Sequence, residues 1–169
     1  LSRKPPLDQR ERYLTDAIHE FREAEQILLD QGGGATELFN VKFNQCLSEI
    51  DFASPTTDYN ILLHELEALE LIVPKDQRGI INWHWGAWLN TTIAKVAVNT
   101  SNSDKALQRG KLGIDAYEKV SSSQIENQIY GVQNGRTNIA ACMEVLRTIT
   151  ENAEIMSRLQ VQKKRLSSL

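Results

Sequence analysis

Apolar residues recur along most of this chain at steps of three and four, the spacing that gathers side chains on one side of an α-helix. The first stripe is Leu14, Ala17, Phe21, Ala24 and Leu28. Ahead of it, Asp8-Gln9-Arg10-Glu11 has capping-box spacing and places the helix start at Asp8. Gly32-Gly33-Gly34 then stops the helix by offering positive φ at its C-cap. A second helix is expected from Thr36 to about Asp51, with Phe39, Phe43, Cys46 and Ile50 on its inner side. Ser54-Pro55-Thr56-Thr57-Asp58 reads as a break and a new N-terminus. Tyr59, Leu62, Leu66, Leu69 and Val73 carry the third helix, which Pro74 ends.

The fourth helix is expected from about Asp76 to Val98, with Ile81, Trp85, Trp88, Thr92 and Val96 inward and Leu89 and Ile93 widening that face. A polar link from Asn99 to Asp104 can cap a fifth helix running through Val120, whose inner face is Leu107, Gly110, Ile114 and Tyr117. From Ser123 to Arg165 the chain forms either one long helix or two joined near Gly131 to Gly135. The stripe Ile139, Cys142, Leu146, Ile149, Ala153 and Met156 favours a long C-terminal helix. No period-2 run bounded by turns occurs, so no strand is assigned. The pattern predicts an all-α fold: an antiparallel bundle of five or six helices with a long C-terminal helix, in one domain over residues 1–169.

Composition leaves that picture in place and narrows the partners. A hydrophobic share of 41% and a charged share of 24% suit a globular chain of 169 residues. A net charge of -3 supplies no basic field for phosphates, which argues against nucleic acid. Apolar runs such as Ile61 to Leu63 are far shorter than the roughly 20 residues that span a bilayer. The start at Leu1, without Met or a signal-like segment, suits a processed and secreted product or a trimmed chain. Cys46 and Cys142 can form one disulfide in an oxidising compartment or remain two core thiols in a reducing one. Asn90-Thr91-Thr92 and Asn99-Thr100-Ser101 are sequons, and Asn90 is expected opposite the buried stripe where a glycan can sit. With eleven asparagines and about one residue in eight Ser or Thr, one or two sequons arise by chance, so they are compatible with secretion without requiring it.

The residues that could carry chemistry fail the spacing tests. His64-Glu65 opens like a zinc-protease helix, but the second histidine is missing because position 68 is Ala. Glu65, Glu67 and Glu70 lack the histidine three residues on that a di-metal bundle uses, and read as a solvated face. Both cysteines sit on apolar stripes, where burial makes a thiol unreactive. The Gly32 to Gly34 run has no following Lys-Ser or Lys-Thr, so it is no phosphate loop. Arg158, Lys163, Lys164 and Arg165 can either dock an acidic partner or lipid headgroup or complement a helix dipole.

One segment is unusual. Trp83, His84, Trp85 and Trp88 fall within two helical turns, and Trp83 lies about 160° from the Trp85 and Trp88 stripe. Trp85 and Trp88 are therefore expected inside, and Trp83 with His84 outside as a binding surface. Taken together, these features suggest a helical binding protein without catalytic residues, metal or cofactor, secreted, and acting on a protein or a small apolar ligand. The alternative is an intracellular helical-hairpin scaffold or adaptor that takes a peptide or protein partner. A Cys46 to Cys142 disulfide favours the first and free thiols the second.

Overall fold

The computed structural model describes residues 7–128, 131–150 and 152–169, with side chains from Gln9 onward. Among the described residues it contains eight α-helices, one 3-10 turn, and one isolated antiparallel bridge between Lys75 and Ile81. The all-α reading therefore holds, and the number of five or six helices is corrected to eight. The helices fall into two compact units, Leu1–Pro74 and Lys75–Leu169.

The N-terminal unit is built from α1 (Leu7–Asp30), α2 (Ala35–Asp51) and α3 (Tyr59–Ala68), followed by a 3-10 turn at Leu69–Leu71. Because α1 already includes Asp8, that residue lies within the helix and is not its N-cap; its side chain and the start at Leu1 lie outside what is described. The α1 stripe has the expected phase, yet Leu14, Ala17, Phe21, Ala24 and Leu28 are all only half-buried. Gly32, at φ 68, supplies the left-handed residue that ends α1, and the Gly33 N–H donates back to the Leu28 carbonyl. The core comes from α2 and α3. Phe39 and Phe43 stack at 5.3 Å, and Cys46, Leu62, Leu66 and Leu69 bury beside them. Asp58 caps α3 by accepting from the Asn60 and Ile61 N–H groups, so the third helix begins where its polar signal stands.

The C-terminal unit comprises α4 (Trp83–Asn99), α5 (Ser103–Glu118), α6 (Ser122–Glu126), α7 (Gly131–Ile149) and α8 (Ala153–Ser167). α4 starts seven residues later than its pattern suggested. The Asp76 carboxylate accepts from the Arg78 and Ile80 N–H groups, and Gly79 turns the chain at φ 76. This local turn competes successfully with helix over 76–82. Asn102 caps α5, and Ser121 with Gln124 forms a capping box that adds the short α6. The long C-terminal helix is present as the 19-residue α7, after which the stripe is interrupted. Asn152 accepts from the Glu154 and Ile155 N–H groups and starts α8 in a new phase. Ala153 is consequently exposed, and Ile155, Leu159 and Leu166 carry the buried face.

α5 lies close against α4 because Gly113 stands where a Cβ would come within 2.6 Å of Thr91 Cγ2. Around that contact Ile114, Tyr117, Ile139, Leu146, Ile155 and Leu159 form a continuous core. α8 is fastened to α5 from one side. Arg158 donates to the carboxylates of Asp115 and Glu118, and Arg165 donates to the carbonyls of Tyr117 and Val120.

Candidate functional site

The aromatic segment occupies the first turns of α4, and its phase differs from the expected one. Trp83 is half-buried and packs edge-on against Tyr117 at 5.8 Å, at the margin of the core. Trp85 and Trp88 are also half-buried, and they stack on each other at 5.8 Å with nearly parallel planes. The middle of α4 is buried on two stripes, one through Leu89, Thr92 and Val96 and one through Ala87, Thr91 and Ala94. Near the helix start, Trp83 continues the second stripe at the Ala87 spacing of four. Trp83 thus packs against the core, where the helical spacing had placed Trp85 and Trp88.

His84 touches both Trp83 and Trp85, with ring centroids 5.7 and 4.7 Å away. Its Nε2 lies 3.5 Å from Gln128 Nε2, at the outer limit of a hydrogen bond. Burial lowers its pKa below the ordinary histidine value, which favours the neutral ring. Trp83, His84, Tyr117, Gln128, Asn134 and Asn138 surround a cavity of about 20 Å³. Asn138 is 7% exposed and donates to Tyr117 Oη at 3.1 Å. A space of that size, polar on one side, suits one water molecule and excludes an apolar ligand.

A larger space lies in the N-terminal unit, where no motif marks it. A groove of about 420 Å³ runs between α1, α2, α3 and the 3-10 turn. Leu38, Ala68, Leu69, Leu71 and Ile72 make its apolar wall, and Cys46 reaches it from α2. Leu71 is 83% exposed, a large apolar side chain facing water at the groove edge. Arg22, Glu25, Lys42, Gln45 and Glu65 form the polar side. Lys42 and Glu25 are ion-paired, and Gln45 donates to Glu49 at 3.0 Å. Partial burial, followed by the nearby Glu49 charge, raises the Glu65 pKa above the ordinary carboxylate value, while Lys42, Arg22 and His64 oppose the shift. This volume and mixture of walls match small-molecule sites, which are mostly apolar with a few placed polar groups. The groove was invisible in the linear pattern because its lining comes from three helices and a turn.

The remaining sequence candidates separate clearly. The disulfide is not formed: Cys46 and Cys142 are free, each buried in the core of a different unit. Burial pushes both thiols up to about 12, as expected from their apolar stripes. Asn90 is half-buried, donating to the Gly86 carbonyl and accepting from Arg109, whereas Asn99 is exposed at the end of α4. At the C-terminus, Arg158 and Arg165 are engaged with α5, and Lys163 and Lys164 are exposed. Among the described residues no three His, Cys, Asp or Glu side chains converge to hold a metal, and no helix is long and apolar enough to cross a membrane.

Compared with protein-family models, with curated proteins and with solved structures, the chain matches none.

Proposed function

We propose that this chain is a binding protein rather than a catalyst, and that it takes a small apolar ligand into the groove of its N-terminal unit. The carrying observation is the groove itself: about 420 Å³, walled by Leu38, Leu69, Leu71 and Ile72, with charged groups along one side. Apolar surface gains about 25 cal/mol per Å² when a ligand removes it from water, and Leu71 holds such surface open. Two thiols held in the protonated, unreactive form, and His84 without a carboxylate partner among the described residues, support a non-catalytic role. Titrating the full chain with octanol while following backbone amide NMR shifts tests this reading. Saturable shifts centred on Leu38, Cys46 and Leu69 are expected; absence of binding, or shifts confined to the C-terminal unit, would overturn it.

A second reading, an intracellular scaffold that takes a peptide between helical hairpins, is favoured by the unbridged cysteines, which fit a reducing compartment. Intact mass of the native protein under non-reducing conditions separates the two. A glycan mass at Asn99 would support secretion, and two free thiols without a glycan would support the scaffold.

A further inference from the structure

A second space continues the groove. On α1 the groove lining reaches back to Arg22, on α3 back to Glu65, and on α2 it includes Gln45. Four residues from each, one helical turn away on the same face, stand Ile18, Ile61 and Glu49. Those three residues, with Leu14, Thr15 and Thr57, line a space of about 550 Å³. The step runs down the sequence on α1 and α3 and up it on α2, as consecutive antiparallel helices require. Both spaces therefore lie along one gap between α1 and α3, over α2. Apolar surface is open to water along the whole of it. Ile61 is 59% exposed in the second space, as Leu71 is at the edge of the first, and Leu14 and Ile18 are half-buried. The polar groups there are engaged locally: Ser54 Oγ bonds Thr56, Thr15 donates to the Glu11 carbonyl, Asp58 caps α3, and Glu49 accepts from Gln45. What is left to a ligand is a strip of Leu14, Ile18 and Ile61 leading to Leu38, Leu69 and Ile72.

We infer that the ligand is one unbranched alkyl chain of about 12 carbons, laid between α1 and α3 through both spaces. This length rests on the groove being the binding site. From Ile61 to Leu71 the helical rise covers about 15 Å. Carbon–carbon bonds of about 1.5 Å advance a zigzag chain by about 1.25 Å each, which gives about 12 carbons over that distance. An α-helix of the same length, about 10 Å across with its side chains, would need about 1,200 Å³. The spaces of about 420 and 550 Å³ hold less than that, so they suit a slender chain and not a peptide helix. A compact apolar molecule would fill one space and leave Ile61 or Leu71 in water.

Equilibrium dialysis of the full-length protein against radiolabelled octanol, decanol, dodecanol and tetradecanol tests the length. Each buried methylene can tighten binding by up to about fourfold, so dodecanol should bind at least about tenfold more tightly than octanol, with no further gain at tetradecanol. Thr15→Trp puts a large ring into the second space, and Ile61→Asn removes apolar wall from it; both positions are exposed, so the fold is retained. Thr15→Trp should bring dodecanol down to the affinity of octanol, Ile61→Asn should remove part of the gain, and octanol itself should bind both variants as before. Equal affinity for octanol and dodecanol would overturn the long chain and leave the groove standing. A dodecanol gain that survives intact in both variants would also overturn it, because the added carbons would then lie outside the second space. An affinity still rising at tetradecanol would overturn the length. Binding of none of the four would remove the groove reading as well.

Discussion

Gly113→Ala places a methyl group at the closest approach of α4 and α5. In an exposed helix this substitution stabilises by about 1 kcal/mol, because Ala loses less backbone freedom on folding. Here the new Cβ would meet Thr91 Cγ2 at 2.6 Å, about an ångström inside a comfortable carbon contact. Thr91 cannot swing aside cheaply. Its Oγ1 donates to the Ala87 carbonyl at 2.9 Å and lies 3.0 Å from the Trp88 carbonyl, and a β-branched side chain in a helix has few other rotamers. Overpacking of this kind costs about 1–3 kcal/mol, so the net expectation is a destabilisation of about 1 kcal/mol. A urea midpoint that falls with an unchanged m value would register it. Thr91→Ser removes Cγ2 and keeps the hydroxyl, so the double variant should recover most of the loss and show a positive coupling. A Gly113→Ala protein stabilised by the full helix-propensity gain would refute this reasoning. Gly110→Ala provides the contrast: its neighbour at 2.8 Å is the rotatable end of Leu146, and its effect should be smaller.

Trp83→Ala should destabilise by about 2–3 kcal/mol, because Trp83 fills the space beside Tyr117, whereas Trp85→Ala should cost about half as much; equal midpoints would contradict the observed phase of α4. Cys46 and Cys142 should resist a bulky thiol reagent at pH 8 until the protein is unfolded, and fast labelling of either would contradict their burial. Their folded pKa values, pushed up to about 12 from an ordinary 9.0, also set a sign for stability. The protonated thiols stabilise fully below pH 9, and that contribution disappears as pH rises toward 12, which urea titrations across this range would show. Arg158→Gln should cost about 1 kcal/mol, since its pairs with Asp115 and Glu118 are part-exposed and screened; a loss that does not shrink in 1 M salt would point to packing instead.

Much of the fold was legible because helices advertise themselves by period. The stripe Phe39, Phe43 and Cys46 and the cap at Asp58 stand where the pattern placed them. What escaped were choices made by single polar side chains. Asp76 satisfies two backbone N–H groups in a turn, which delays α4 to Trp83. Asn152 restarts the helix beyond α7 and shifts the buried face from Ala153 to Ile155. A period summed over many residues cannot register one carboxylate or amide that outcompetes a helical hydrogen bond. The candidate site was less legible still. Arg22, Lys42 and Glu65 lie on three helices, and only their packing makes them neighbours. Gly110 and Gly113 carried a quieter signal, since two glycines inside a helix mark close approach of a neighbour.

The Arg165 guanidinium sets an order in time as well as a position in space. The carbonyls of Tyr117 and Val120 that it binds mark the end of α5, where a helix cannot satisfy its own last acceptors. Their partner lies 48 and 45 positions further along the chain. At synthesis rates of about 5–20 residues per second, the end of α5 must rely on water for about 2–10 s before Arg165 is made. In that interval α7 is made as well, and its Ile139 and Leu146 cover Ile114 and Tyr117 before the carbonyls at the end of α5 find their partner. The arrival of α8 is therefore the step that closes the end of α5, after its apolar side has already been covered.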